Sequence, residues 1–130
     1  MKARTSTLHF VGTHKNLGQI LEDRQLASLG DIFVNLVCSL VISNRKGRPV
    51  GAKIKGSILA EAVKRSGLRE YMPPRTDKHA LADAAEALVV YGWLHKHITL
   101  EECLTTLEMN RDIVYGLSKL LQMVQERIIF

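Results

Sequence analysis

Three acidic residues lie in surroundings where an acidic side chain is unusual. Asp31 belongs to the most apolar stretch of the chain, residues 26–43. Asp83 and Glu86 are three residues apart in a segment, residues 82–87, that otherwise contains only alanine. On a helix that spacing places both carboxylates on the same face. A buried carboxylate is costly unless a partner compensates its charge, and a divalent cation is one such partner.

The oxygen ligands that these residues offer suit a hard cation such as Mg²⁺. This ion is often held by only one or two carboxylates, with water and substrate phosphate completing its shell. The pattern therefore indicates a metal site in which Asp31 on one helix faces Asp83 and Glu86 on another. Spacing alone leaves a second interpretation open, in which Asp31 caps a helix or pairs with a lysine and the other two acids form an exposed pair.

The positive charge of the chain is concentrated in its middle. The formal net charge is +5, but the segment from Arg45 to Lys78 alone has ten basic and three acidic residues. Such a segment is the expected electrostatic footprint of a protein that contacts phosphate backbones. A solvated helical surface is the alternative. We predict phosphate contacts at Lys53, Lys55, Arg75 and Lys78.

The elements that must position these side chains are predicted to be helices. Residues 1–15 have no helical apolar pattern and are expected to form a loop or an extended lead. From about Leu17 onward the apolar spacing is helical and nowhere alternates with a period of two, which predicts an all-α fold. Individual helices are expected at 26–43, at 51–67, at about 78–95, and from a capping box at 99–102 onward, with a kink near Asn110.

Composition is typical of one globular domain spanning residues 1–130. The chain is 46% apolar and 24% charged, and its length is sufficient for a packed core. Cys38 and Cys103 lie in apolar segments without metal-ligand spacing, which indicates reduced core cysteines of an intracellular protein. The N-terminus leads into no signal-like apolar run, and the stretch from Ile32 to Ile42 is too short to cross a bilayer. We therefore expect a cytoplasmic protein without membrane contact.

Two motifs carry a resemblance to a known family. Residues 26–31 read LASLGD, and residues 80–88 read ALADAAEAL. Between them, residues 55–60 (KGSILA) and 65–68 (RSGL) form a linking helical pattern. Together these segments resemble the catalytic domain of the ribonuclease III family over roughly residues 20–125. The LGD motif followed at this distance by LADAAEAL is the specific part of the resemblance.

The resemblance implies a helical endonuclease domain that cleaves double-stranded or structured RNA with Mg²⁺ or Mn²⁺. Asp31 matches the acid of the first motif, and Asp83 and Glu86 match the two acids of the second, with the glutamate the more essential ligand. The family works as a homodimer whose two acidic sites face a shared groove. Its metal lowers the pKa of a bound water and stabilises the leaving 3′ oxygen.

The chain departs from the family pattern at the start of the first motif. Ala27 stands where full-length members usually have a glutamate, and Ser28 where they often have a bulky aromatic residue. Arg24 and Gln25 replace a Glu-Arg pair. The compact mini-ribonuclease III branch is similar in lacking that glutamate and an RNA-binding appendage, and nothing after Ile98 resembles a double-stranded-RNA-binding domain. Binding of RNA is then expected to depend on the basic segment and on dimerisation.

Three functions follow from these observations. The first is a homodimeric, metal-dependent endoribonuclease. The second is a catalytically impaired module of the same fold that only holds RNA or a ribonucleoprotein, which Ala27 favours and the retained acids disfavour. The third is a helical dimer without a nucleic-acid role, which salt-sensitive RNA binding would exclude.

Overall fold

The computed structural model of the chain describes residues 7–130, and all regular structure in this part of the chain is helical. The prediction of an all-α fold is confirmed. Residues 7–15 form no helix or strand, as expected for the lead, and residues 1–6 of that predicted lead lie outside the described residues. The helices are α1 (Leu17–Leu21), α2 (Arg24–Lys46), α3 (Gly56–Ser66), a 3₁₀ turn (Leu68–Tyr71), α4 (Lys78–Leu94), α5 (Leu100–Glu108) and α6 (Ile113–Arg127).

Helix α4 forms the centre of the structure. Every residue from Leu81 to Gly92 except Asp83 is buried, and α4 contacts α1, α2, α3 and α6. A helix that is apolar on all sides is expected to be surrounded by other elements. The many alanines of α4 have short side chains, which lets the neighbouring helices approach its backbone closely. A polar side chain within this buried stretch, such as Glu86, therefore lies against a neighbouring helix.

The closest approach is the crossing of α2 over α4. A Cβ atom placed on Gly30 of α2 would lie 2.1 Å from the backbone oxygen of Glu86 in α4. Real side chains do not tolerate such a distance, so the crossing requires glycine at position 30. Because Asp31 follows Gly30 directly, this crossing also sets where Asp31 meets α4.

Helix α2 is buried against α4 on one side only. The sequence predicts a helix buried on nearly every face, and this is wrong for the face that carries Ile32 and Leu36, which are 68% and 49% exposed. Helix α2 is also long and apolar enough to cross a membrane by length and composition, which the shorter stretch considered above is not. Core helices of globular domains pass the same test, and α2 makes its most extensive contacts with α4.

Helix α3 begins later than its apolar spacing predicts. The helical pattern extends back to Gly51, but the helix starts at Gly56, and no helix forms at residues 50–55. The predicted end is confirmed, because Gly67 has φ +88°, a left-handed conformation that glycine adopts without strain. Residues 50–55 are instead held along α2 by side-chain hydrogen bonds to the backbone of Val50, Ala52 and Ile54.

The single long C-terminal helix predicted from Thr99 is two helices. The capping box is confirmed: Thr99 accepts a hydrogen bond from the backbone of Glu102, whose side chain accepts one from the backbone of Thr99. Helix α5 then ends at Glu108, near the expected kink. A new helix starts because the Asp112 side chain accepts a hydrogen bond from the Val114 N–H.

Both cysteines lie in the core, as predicted. Cys38 and Cys103 are buried and form no disulfide. Burial raises the pKa of each thiol to about 12, so both remain protonated at neutral pH. They act as small apolar side chains.

The crossing of α2 and α4 makes a prediction about stability. The substitution Gly30→Ala should lower the free energy of unfolding by about 3 kcal/mol or more, because a new methyl group would overlap backbone atoms of α4. Gly51→Ala is the matched control, since a Cβ there would meet nothing within 4 Å. Urea unfolding of the three proteins measures the difference. Equal midpoints for Gly30→Ala and the native chain would show that the crossing is not tight.

Candidate active site

Asp31 and Glu86 meet at the crossing of α2 and α4. Their carboxyl groups share a hydrogen bond. Glu86 is only 7% exposed, whereas the side chain of Asp31 is 41% exposed and borders the solvent. One member of the pair is thus enclosed by the core and the other is open to a ligand.

Burial and proximity divide the charge of this pair unequally. Burial, the hydrogen bond with Asp31, and the negative charges of Asp31 and Asp83 raise the pKa of Glu86 to about 8. The same hydrogen bond holds the pKa of Asp31 below its usual value, and Lys53 lowers it further. Near neutral pH the pair therefore shares one proton, held mainly by Glu86, and carries one negative charge.

Lys53 supplies the positive charge next to this pair. Its Nζ atom lies 3.3 Å from each carboxylate oxygen of Asp31. From the sequence, Lys53 is predicted to contact RNA phosphate, and pairing of Asp31 with a lysine is the alternative to a metal site. The structure places the ammonium group on Asp31, with 75% of the Lys53 side chain still exposed.

Two serines of α2 hold the segment that carries Lys53. The Ser43 hydroxyl accepts a hydrogen bond from the Val50 N–H at 2.8 Å and donates one to the Val50 carbonyl at 3.1 Å. The Ser39 hydroxyl makes the same pair of bonds with Ala52, also at 2.8 and 3.1 Å. These side chains satisfy backbone groups that would otherwise need a helix, which explains why residues 50–55 stay non-helical.

Asn35 extends this row of hydrogen bonds to the acidic pair. Its Oδ1 atom accepts a hydrogen bond from the Ile54 N–H at 2.8 Å, and its Nδ2 atom donates one to Asp31 Oδ1 at 3.1 Å. Asn35 is not among the site residues predicted from the sequence. The sequence does contain a signal for this residue. Asp31, Asn35, Ser39 and Ser43 are spaced four residues apart and therefore lie on one face of an otherwise apolar helix. We call Asn35, Ser39 and Ser43 the polar stripe.

Asp83 lies at the edge of the site. It is half-buried and lines a cleft of about 480 Å³ together with Arg24, Arg75 and His79. Its charge acts on Glu86, one turn further along α4. Nowhere in residues 7–130 do three or more histidine, cysteine, aspartate or glutamate side chains gather closely enough to hold a metal ion. Thus the structure joins Asp31 with Glu86 and places Asp83 at the edge of this pair, and the role of the three carboxylates as metal ligands stays a prediction.

The other predicted phosphate contacts lie at the surface. Lys55, Arg75 and Lys78 are all exposed. Lys55 directly precedes α3, and Lys78 is the first residue of α4. Arg75 lies in the wall of the cleft that Asp83 also lines. Their assignment to RNA stays a prediction.

The chemistry of the acidic pair fits a divalent cation that prefers oxygen. Two carboxylates held together and sharing a proton repel each other once both are ionised, and a cation between them removes that repulsion. Asp31 and Glu86 would supply two carboxylate ligands. Mg²⁺ commonly takes one or two carboxylates from a protein, and water and phosphate oxygens complete its shell. The half-exposed side of Asp31 leaves room for those further ligands.

The chain is thus a helical domain with an acidic pair where two helices cross, and its sequence matches a known family. The family model described as Ribonuclease III matches residues 24–128, which is most of the chain. The chain therefore belongs to the ribonuclease III family, and the resemblance inferred from its two motifs is confirmed. Comparison with curated proteins found no match.

The raised pKa of Glu86 predicts how stability changes with pH when no divalent cation is present. An acid whose pKa is higher in the folded than in the unfolded state binds more protons when folded, so stability falls as pH rises from about 4.5 to about 8. Glu86→Gln removes this dependence. Relative to the native chain, the free energy of unfolding of the variant should therefore increase by on the order of 2 kcal/mol between pH 5 and pH 8.5.

Urea unfolding with a chelator at the two pH values measures this gain. Glu101→Gln is the control, because Glu101 is exposed at the surface of α5. A difference between native chain and Glu86→Gln that stays constant with pH would contradict the assignment of the proton to Glu86.

Proposed function

We propose that this chain is a divalent-metal-dependent endoribonuclease that cleaves structured or double-stranded RNA as a homodimer. The observation that carries the proposal is the hydrogen-bonded pair of Asp31 and Glu86 at the crossing of α2 and α4. Membership of the ribonuclease III family supports RNA processing as the activity. We further propose the cytoplasm as the compartment, with which the two free core thiols are compatible.

The proposed reaction is the hydrolysis of a phosphodiester bond. The oxygen of a water molecule forms a bond to phosphorus, the bond between phosphorus and the 3′ oxygen breaks, and the 3′ oxygen takes up a proton. Bound Mg²⁺ or Mn²⁺ would supply Lewis-acid chemistry, activating water and stabilising the charge on the leaving oxygen. Asp31 and Glu86 would hold the cation, and the packing of α2 on α4 would keep their carboxylates in place. Asp83 would act on the site through its charge.

The basic segment supports RNA as the ligand. Lys55, Arg75 and Lys78 are exposed close to the N-terminal ends of α3 and α4, and the N-terminal end of α3 lies against Ala82, one residue before Asp83. Double-stranded RNA is bound through its shape, its phosphates and its 2′-hydroxyl groups, so no base-reading motif is required. Binding of this kind should weaken steeply with salt.

The exposed apolar face of α2 supports the homodimer. Ile32 and Leu36 lie one turn apart on the solvent side of α2 and are 68% and 49% exposed. Large apolar side chains that share an exposed helix face commonly mark an interface. These residues directly follow Asp31 and Asn35 in sequence, so a partner seated on this face would lie beside the acidic pair.

A second function is favoured by one observation. Ala27 is buried, at 3% exposure, at the position where the family usually supplies a further glutamate. A site that lacks this carboxylate could retain RNA binding and lose cleavage. The alternative is therefore an impaired ribonuclease III-like module that binds RNA or a ribonucleoprotein, and the same experiment decides between the two.

Cleavage of a long double-stranded RNA in Mg²⁺ or Mn²⁺ tests the proposal. The native chain should cut the RNA, and Glu86→Gln should reduce the rate at least about 100-fold, because removing a ligand carboxylate removes the charge that holds the cation. Glu101→Gln, an exposed acid far along the chain, should cleave at the native rate. If the native chain binds this RNA in a salt-sensitive manner and leaves it intact with both metals, the binding module replaces the nuclease.

The dimer is tested separately by its mass in solution. Leu36→Arg should convert the dimer to a monomer, because a buried unpaired charge in an interface is strongly unfavourable. Tyr71→Arg is the matched control, since Tyr71 is exposed to a similar degree (53%) on the 3₁₀ turn. Light scattering or sedimentation measures both. A native chain that is monomeric at micromolar concentration, or a dimer unaffected by Leu36→Arg, would remove α2 as the interface.

A further inference from the structure

Lys53 occupies a distinctive position beside the acidic pair. Its ammonium group lies at the same distance, 3.3 Å, from both oxygens of Asp31, the more open member of the pair. A monovalent cation held symmetrically on a carboxylate compensates the charge that the pair would otherwise present to solvent. Because Glu86 is buried while the Asp31 side chain is 41% exposed, a dissolved cation would reach the pair at Asp31, where the Lys53 ammonium group also lies.

The position of Lys53 is set by the backbone and not by its own packing. Residues 50–54 are fixed to α2 by the polar stripe, through bonds to the backbone of Val50, Ala52 and Ile54. Lys53 lies between two of these anchored residues, so its Cα position is defined while its side chain remains 75% exposed. The ammonium group can therefore leave Asp31 by side-chain rotation alone, without disturbing the segment.

We propose that Lys53 is a built-in counter-ion of the Asp31–Glu86 pair, which competes with a divalent cation for Asp31 and must move away when that cation binds. Lys53 is thus a positioning residue that sets the metal affinity of the site. The inference rests on the proposed function, because it takes the acidic pair to be the metal site.

The competition should weaken metal binding only modestly. An ion pair between exposed groups is weak, so displacing it hinders the cation only modestly, and repulsion between the ammonium group and a nearby divalent ion adds to this. Replacing Lys53 with an uncharged residue of similar length should therefore tighten Mn²⁺ binding about five-fold. A basic replacement should leave the affinity unchanged.

Mn²⁺ binding to the full chain, measured without RNA by titration calorimetry or by the free-Mn²⁺ signal in electron paramagnetic resonance, tests this. The proteins are the native chain, Lys53→Met, Lys53→Arg and, as the matched control, Lys55→Met, which removes an exposed lysine two residues away. Tighter binding by Lys53→Met alone supports the proposal. Thermal unfolding of each variant confirms that it is folded, which the exposure of both lysines leads us to expect.

The possible failures are distinguishable. If the native chain binds Mn²⁺, Glu86→Gln weakens this binding, and Lys53→Met binds as the native chain does, the competition is overturned while the metal site of the proposed function stands. An equal gain in Lys53→Met and Lys55→Met would reflect general surface charge and would also overturn it. If neither the native chain nor any variant binds Mn²⁺, the proposed metal site fails, and the counter-ion proposal fails with it.

Discussion

The structure depends on the close approach of α2 to α4 at Gly30. A side chain at this position would overlap the backbone of Glu86, so the distance between the two helices is set by the absence of a Cβ atom. The same contact brings the carboxyl groups of Asp31 and Glu86 together, with Glu86 buried and Asp31 open to solvent. One packing constraint therefore determines both the distance between the two helices and the interaction between the two carboxyl groups.

Two kinds of interaction act on α2 from opposite sides. Apolar packing against α4 buries residues such as Phe33, Val34 and Val37, whereas the polar stripe binds the backbone of residues 50–54. The stripe converts a segment with helical apolar spacing into a non-helical strap, because its hydrogen bonds satisfy the backbone groups directly. As a result Lys53 lies beside Asp31, and the charge of the acidic pair is partly balanced by the fold itself.

Most elements could be predicted from the sequence because their signals are local. The apolar spacing of α4, the capping box at Thr99 and the left-handed Gly67 depend on residues within a few positions of each other. The errors arose where distant residues competed with local preference. Ile54 fits a helical pattern, yet its N–H donates a hydrogen bond to Asn35 of α2 and not to a helical carbonyl. The face of α2 that carries Ile32 is apolar, yet it stays exposed because no helix in the described part of the chain covers it.

The sequence by itself determined the chemistry that is available: an acid in an apolar helix, two acids three residues apart, and motifs sufficient to identify the ribonuclease III family, which the family model confirms. Tertiary structure alone decided which of these groups meet. Asp31 is joined to Glu86, Asp83 is left at the edge of a cleft, and Lys53 is drawn to Asp31. The physical reason is that side-chain distances between helices depend on the depth and angle of packing, which no spacing within one helix specifies.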